Sequence, residues 1–477
     1  MSNDSNQIGN GNRKIVSRRG FLGGLIAIGA AVSLNACSPA ASPAPTSQAK
    51  QPTAAPAGGT PQFKGITLRI STQNGPSTDA WKAIIPGFES KYGATVEILE
   101  DSYNQVQPKQ FAEAQAHTGA FDIIGLQTFD LGKYIVGGVV ADLGPYFNDA
   151  NLVMPDYDLN DFSDVFVKGY CEYEVEGKRS LYVLPHKFDI YLGIYRPDLF
   201  TGAGLKEPGE SFSYDDLLAA ADKIKPSHGD DPVITFPLKA PGPAFTTWSA
   251  ICRSYGGEYF DANKYPLFNG EAGVTAIEKL RSMLKYLPTD VLSVDFDAAL
   301  RIMSQGKAAY AENWNSFFPT ILDPKQSIVT DKVKFMATPA GPSKRAQEMG
   351  GWSVGMSPDS KNPKAAFTLL QYLTAKETAV DYALAGGSSA RASVANSAKV
   401  VEKMPYYPLM IAALKEAIPR PTDPAWGETQ SAMGTAVSAA LQPGGDAKVE
   451  LTKAAQKVYQ LVQRMGYNPE KTGPEPK

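Results

Sequence analysis

The chain has 477 residues, of which 43% are hydrophobic and 20% charged, and 46 Lys+Arg against 49 Asp+Glu leave a formal net charge of −3. These proportions exclude a mostly disordered chain, and so even a balance offers no general basic face for nucleic acid. Three His and three Cys are too few for a His-rich metal site or a four-cysteine zinc module, so neither a metal nor a cofactor is expected.

The N-terminus carries Arg13-Lys14, then Ser17-Arg18-Arg19-Gly20-Phe21-Leu22, then an apolar stretch, Phe21–Leu34. That stretch is too short to span a bilayer but suits the core of a signal peptide. The paired arginines resemble a twin-arginine export signal, with the general export route as the alternative. Leu34-Asn35-Ala36-Cys37 resembles a lipobox, which implies removal of residues 1–36 and a diacylglycerol on the Cys37 sulfur. Ser38–Gln62 is almost all Ala, Pro, Ser, Thr, Gly and Gln, with Lys50 as its only charge. Such a segment has no apolar face to bury, so residues 37–62 read as a flexible linker from lipid to domain. No run of about 18 apolar residues occurs, which excludes a multi-span membrane protein.

Beyond the linker the pattern is α/β. Ile66, Leu68 and Ile70 alternate with polar residues as in a strand, and Asn74-Gly75-Pro76 turns the chain. Trp81, Ile84, Ile85, Phe88 and Tyr92 follow at helical spacing, with Gly93 placed to end the helix, and Val96 and Ile98 begin a second strand. Phe121–Leu126 is a third strand, continuously apolar as if covered on both faces. Ser213 to Asp216 has the form of a capping box before Leu217, Leu218, Ala221 and Ile224, and Pro226 stops that helix. Val274, Ile277, Leu280 and Leu284 mark a further helix, and Phe296, Leu300 and Met303 mark another, ended by Gly306. Asn362-Pro363 supplies an N-cap and a first-turn proline for Ala366, Phe367, Leu370 and Leu373, and a last helix carries Ala455, Val458 and Leu461. At about 150 residues per domain, two or three domains are expected. An α/β body of this size most economically forms two lobes, with ligand at the carboxyl ends of the strands. Cys171 and Cys252 are either a disulfide or two buried thiols.

No catalytic residues are expected. HExxH, CxxC, a Walker loop and a GxSxG elbow are all missing, and His117, His186 and His228 are far apart. Gly202-Ala203-Gly204 does not open a helix after a strand. Aromatic residues do stand beside polar ones at predicted strand exits: Gln73-Asn74, Gln127-Thr128-Phe129-Asp130, Lys187-Phe188-Asp189-Ile190-Tyr191, Asn313-Trp314-Asn315 and Gly350-Gly351-Trp352. Sugar rings offer C–H faces that pack on aromatic rings and hydroxyls that need polar partners, so these segments suit a carbohydrate.

In order and spacing these segments resemble the carbohydrate-binding (maltose-binding-like) solute-binding proteins of ABC importers. The resemblance rests on Phe121-Asp122-Ile123-Ile124 with Ala141-Asp142-Leu143, and on Tyr182-Val183-Leu184-Pro185 with Gly193 to Phe200. Gly256-Gly257-Glu258-Tyr259-Phe260, Gly306-Lys307-Ala308-Ala309-Tyr310, Gly350 to Gly355, Asn362 to Phe367 and Gly386 to Val394 carry the rest. Arg196-Pro197 departs from the family's Asn-Lys, and Ser388-Ser389-Ala390 lacks its proline.

The resemblance implies a two-lobed periplasmic-binding-protein fold (type II), with hinged lobes around a central cleft. Lobe one would hold residues 63–188 and 354–396, lobe two 189–353 and 397–470, with a tail at 471–477. Asp130 and Asp189 match acids that accept hydrogen bonds from sugar hydroxyls, and Trp314 matches a stacking aromatic. Gln127 stands where some members have an aromatic, and Phe245 lies near a further aromatic platform just before Trp248. The expected ligand site is completed by Gln73, Asn74, Lys187, Tyr191, Asn315, Gly351, Trp352 and Arg391. The implied protein is an extracytoplasmic, lipid-anchored monomer that takes up a carbohydrate, expected to be an oligosaccharide or sugar derivative, and delivers it to the permease of an ABC importer. A lipid-anchored hydrolase such as a glycosidase, or a receptor of the same fold for a polyol phosphate, polyamine or iron chelate, are the alternatives.

Overall fold

The computed structural model describes residues 62–466 and 473–477. The signal peptide expected over 1–36, Cys37 and the linker up to residue 61 lie outside the described residues, as do residues 471 and 472 of the tail. Eleven strands occur among the described residues: β1 Thr67–Gln73, β2 Thr95–Asp101, β3 Ile123–Gln127, β4 Glu172–Val175, β5 Lys178–Leu181, β6 Val183–Tyr195, β7 Ile234–Thr235, β8 Tyr310–Trp314, β9 Lys334–Ala337, β10 Gln347–Met356 and β11 Ala417–Ile418.

Nine of them form one sheet in the order β2-β1-β3-β10-β6-β8-β7, with β9 added to β6 and β11 to β10, while β4 and β5 make a separate hairpin. β1 runs parallel to β2 and β3, and β7 runs parallel to β8. The long strands β6 and β10 lie antiparallel to one another between these two parallel groups. β6, VLPHKFDIYLGIY, is buried along nearly its whole length, as its apolar run requires for a strand covered on both faces.

The helix signals hold. Helix Pro76–Tyr92 ends at Gly93, which takes φ 77° and donates its N–H to the Glu89 carbonyl. Ser213 accepts from the Asp216 N–H while the Asp216 carboxylate accepts from Ser213, completing the capping box. Asn362 occupies the N-cap position of helix Pro363–Leu373, but its side chain makes no capping bond.

One apolar cluster packs β1 and helix Pro76–Tyr92, through Leu68, Ile70, Trp81, Ile84 and Phe88, against Ala366, Phe367 and Leu370. The larger cluster runs from Leu126 and Phe129, past Phe188, Ile190 and Leu192 of β6, to Phe245, Trp248 and Trp426. Burying each large side chain of this kind contributes about 1.5–3 kcal/mol before ordering costs. Cys171 and Cys252 are free and buried, which decides between the two readings of that pair.

Candidate functional site

Because β1 and β3 are parallel, Gln73 and Gln127 end at the same edge of the sheet. Gln127 pairs with Trp352 of β10, so the edge continues into the long strands. There Lys187 stands opposite Trp352, Phe188 opposite Gly351 and Asp189 opposite Gly350, with a register shift between Trp352 and Ser353. On the far side, Trp314 closes β8 opposite Tyr191. One line of residues thus joins the carboxyl ends of the two parallel groups, where open α/β sheets bind ligands.

Glycines shape this line. Gly351 has φ 134°, and a β-carbon on it would collide with the Lys187 carbonyl oxygen. Gly350 leaves space for the Trp314 indole, whose edge lies 3.5 Å from where a β-carbon would stand. Trp314 is 8% exposed and meets Tyr191 edge-on at 5.3 Å between ring centroids. Tyr191 is fully buried, with its hydroxyl 3.1 Å from Thr247 Oγ1, so it backs the indole instead of facing a ligand. Asn315 is buried too: it accepts the Ile190 N–H at 2.6 Å and donates to Ser388 Oγ at 2.8 Å and to the Phe188 carbonyl at 3.3 Å. Its side chain pins the middle of β6 and is spent on that.

The polar groups carry charge. Lys187 Nζ lies 3.2 Å from the Asp189 carboxylate. Asp189 is 7% exposed, and its Oδ1 has no hydrogen-bond partner among the described residues. A buried acceptor left unmade costs on the order of 1–3 kcal/mol, so Asp189 is poised to accept a bond. Asp130 accepts from Gln107 Nε2 at 3.1 Å. Burial pushes its carboxyl up to about 6, against the opposing pull of Lys133 and Gln107. Two residues on, the Gly132 N–H donates to the Thr422 carbonyl at 3.0 Å and ties this segment to the loop before helix Trp426–Leu441.

That loop supplies a residue that the sequence reading missed. Arg420 is 5% exposed and its guanidinium carbon lies 4.9 Å from the Phe245 ring, 5.3 Å from Trp314 and 5.8 Å from Phe129. Its Nε donates to Glu348 Oε2 at 3.0 Å, Nη1 to Gln430 at 3.1 Å and Nη2 to Thr246 Oγ1 at 3.1 Å. The other Glu348 oxygen accepts from Tyr259 at 3.2 Å and from Ser249. A lone arginine between Pro419 and Pro421 was the available signal, since two prolines fix the backbone on either side of one charge.

The remaining expected residues sit as follows. Gln73 ends β1 and Asn74 follows it, with the Gln73 carbonyl accepting from Thr78 Oγ1 at 2.7 Å and Asn74 exposed. Trp352 is 7% exposed beside Gln127. Phe245 is fully buried and faces Arg420. Trp248, one turn further along helix Gly242–Ser254, is fully buried and donates from Nε1 to the Gly273 carbonyl at 3.0 Å, so it is packed away from the line. Arg391 also lies apart. It is 1% exposed, donates to the Thr374 carbonyl at 2.6 Å and the Asp158 carbonyl at 2.8 Å, pairs with Asp161 at 3.4 Å and stacks on Phe162 at 4.1 Å. These contacts clamp residues 158–162 to the end of helix Pro363–Leu373.

The family model for bacterial extracellular solute-binding proteins matches residues 74–380. A "Probable amino-acid ABC transporter periplasmic-binding protein" of Sinorhizobium fredii is 26% identical over 74% of this chain and 79% of its own length. The mannitol-binding protein of Pseudomonas aeruginosa is 22% identical over 65% of this chain and 69% of its own. The crystal structure of an ABC transporter solute-binding protein from Agrobacterium radiobacter K84, in complex with ribitol, superposes with a TM-score of 0.73 at 22% identity, covering 84% of this chain and 99% of the other. That likeness shows the fold, the mixed α/β architecture of two-lobed solute-binding proteins.

Proposed function

Because the chain belongs to the bacterial extracellular solute-binding protein family, we propose that it captures a carbohydrate or polyol and delivers it to an ABC importer. The observation that carries this reading is the unpartnered Asp189 oxygen beside Lys187, set opposite Gly350 where the Trp314 indole lies. A ring or chain with C–H faces would pack on the indole while its hydroxyls donate to Asp189 and Asp130. The mannitol-binding relative and the ribitol complex support this ligand class.

The mechanism is closure. Lobe one is assigned residues 63–188 and 354–396, and lobe two 189–353 and 397–470. Two of the three boundaries fall inside continuous strands, β6 and β10, and the third falls between residues 396 and 397, just before helix Ala398–Lys403. A ligand that touches Gln127 and Asp130 on one side and Trp314 on the other binds the shut form more tightly and shifts the population towards it by that difference in affinity. No reaction step is assigned to any residue. Among the described residues no helix is long and apolar enough to cross a membrane. Cys37 is proposed as the lipid attachment point and residues 38–62 as the tether, holding a monomer near its permease.

The test is a calorimetric screen of the purified protein against mannitol, ribitol, glucose, maltose, maltotriose and a panel of amino acids, with product analysis of each mixture. Saturable binding of a polyol or sugar without turnover is expected. Binding of amino acids alone, or release of a cleavage product, would overturn the reading. Attachment at Cys37 predicts labelling of the cells' protein by radioactive palmitate and its loss in Cys37→Ala.

A further inference from the structure

We infer that Arg420 sets the size of the ligand, restricting the site to one small polyhydroxylated molecule, a linear polyol or a monosaccharide. This rests on the proposed carbohydrate site and narrows the oligosaccharide or sugar derivative expected from sequence to a smaller ligand.

Three rings from three separate segments converge on one guanidinium: Phe129 after β3, Phe245 in helix Gly242–Ser254 and Trp314 at the end of β8. An array of aromatic faces is what a chain of sugar rings would need, one face for each ring. Here the planar cation already packs against Phe129, Phe245 and one side of the Trp314 indole, through the attraction between a cation and the ring quadrupole, so at most one aromatic face is left for a ligand.

Arg420 is also held too firmly to step aside at low cost. Its backbone N–H donates to the Tyr170 hydroxyl at 2.7 Å, and that hydroxyl donates to the Met349 carbonyl at 2.8 Å. Its charge is matched by Glu348, which is itself 1% exposed. Moving the guanidinium out would leave a buried carboxylate uncompensated. A guanidinium has five N–H bonds. Glu348, Gln430 and Thr246 take one each, which leaves one N–H on each terminal nitrogen that, on this inference, donates to a hydroxyl oxygen of a small ligand. Donors and acceptors then divide across the site, Arg420 donating to oxygens and Asp189 accepting from hydroxyls.

The experiment compares affinities for ribitol, mannitol, glucose, maltose and maltotriose in the wild-type protein, in Arg420→Ala and in the paired variant Arg420→Met/Glu348→Gln. The paired variant leaves no buried charge uncompensated, so it reports even where Arg420→Ala does not fold. The wild type is expected to bind a polyol or monosaccharide at least 100-fold more tightly than maltotriose. In the variants that ratio should fall at least 10-fold, with weaker polyol binding and new or tighter maltotriose binding. A wild-type protein that binds maltotriose as tightly as any small ligand, or variants that keep the wild-type ratio, would overturn the inference while leaving the carbohydrate reading intact. A wild-type protein that binds none of the five ligands would instead sink the carbohydrate reading, and this inference with it.

Discussion

The indole of Trp314 rests against Gly350, the residue that stands opposite Asp189 across the β6–β10 ladder. The indole and the unpartnered carboxylate oxygen thereby belong to two neighbouring strands, β8 and β6, with Gly350 of β10 next to both. Asp189→Asn and Trp314→Ala should each weaken ligand binding by roughly 10-fold or more, the scale of one charged hydrogen bond or one stacked ring. Gly350→Val should do the same by pushing the indole away. Titration calorimetry of the three variants checks this, with thermal melting to confirm that each is folded.

Gly351 makes a backbone demand, not a side-chain one. At φ 134°, with the Lys187 carbonyl oxygen where a β-carbon would go, Gly351→Ala must move β10 away from β6. A loss of stability on the order of 2 kcal/mol is expected. Urea unfolding measures it, and an unchanged midpoint would contradict the strand pairing described above.

Asp130 gives a pH signature. Its carboxyl is raised to about 6 by burial, so between the ordinary carboxylate range and pH 6 the folded protein holds a proton that the unfolded chain has released. The group therefore favours folding at pH 4 and this contribution is lost as pH rises through 6. Asp130→Asn removes the titration. Wild type should lose stability relative to Asp130→Asn between pH 4 and pH 6.5 in denaturant titrations, and a difference that grows in the opposite direction would refute the burial-driven shift.

Arg391 separates stability from binding. Its contacts with Thr374, Asp158 and Asp161 include none of Lys187, Asp189 and Trp314. Arg391→Ala leaves Asp161, 9% exposed, without its cation. The expected cost is about 3–5 kcal/mol of stability. Affinity of the folded protein should stay within twofold of wild type, measured by calorimetry well below the melting temperature.

The two thiols should be inert. Burial pushes Cys252 up to about 12 and Cys171 higher still, so little thiolate forms near neutral pH. A water-soluble maleimide should leave Cys171 and Cys252 unmodified in the native protein and label both after denaturation, as read by peptide mass.

Local grammar made much of the fold legible. Ile66, Leu68 and Ile70 announced β1, Gly93 ended its helix, and Ser213 with Asp216 built the cap that their spacing required. Trp314 and Asp130 could be located because each stands at a strand exit beside the motif that marks it, and Asp189 because it lies within the motif that forms β6. Arg420 could not, because its place depends on β11 pairing with β10 across some seventy residues of sequence, Gln347 against Ala417 and Glu348 against Ile418. Phe245 and Trp248 are a single helical turn apart and equally apolar. Only the packing of Trp248 on Gly273 and of Phe245 on Arg420 tells the two roles apart. Arg391 misled for a related reason: a charged residue in a small-residue turn looks available until Phe162 and Thr374 are folded around it.

The antiparallel β6–β10 ladder carries seven paired positions, from Met349 opposite Ile190 to Gly355 opposite Val183. Two strands bonded edge to edge act mechanically as a ribbon. A ribbon flexes and twists about its long axis with little resistance, yet opposes sliding of one strand past the other, because sliding breaks every rung at once. The two ends of the sheet are therefore coupled as by a leaf spring with few soft modes, not by a universal joint. Spectroscopic labels on either side of the ladder would then need only one or two distances to follow the whole range of its movement.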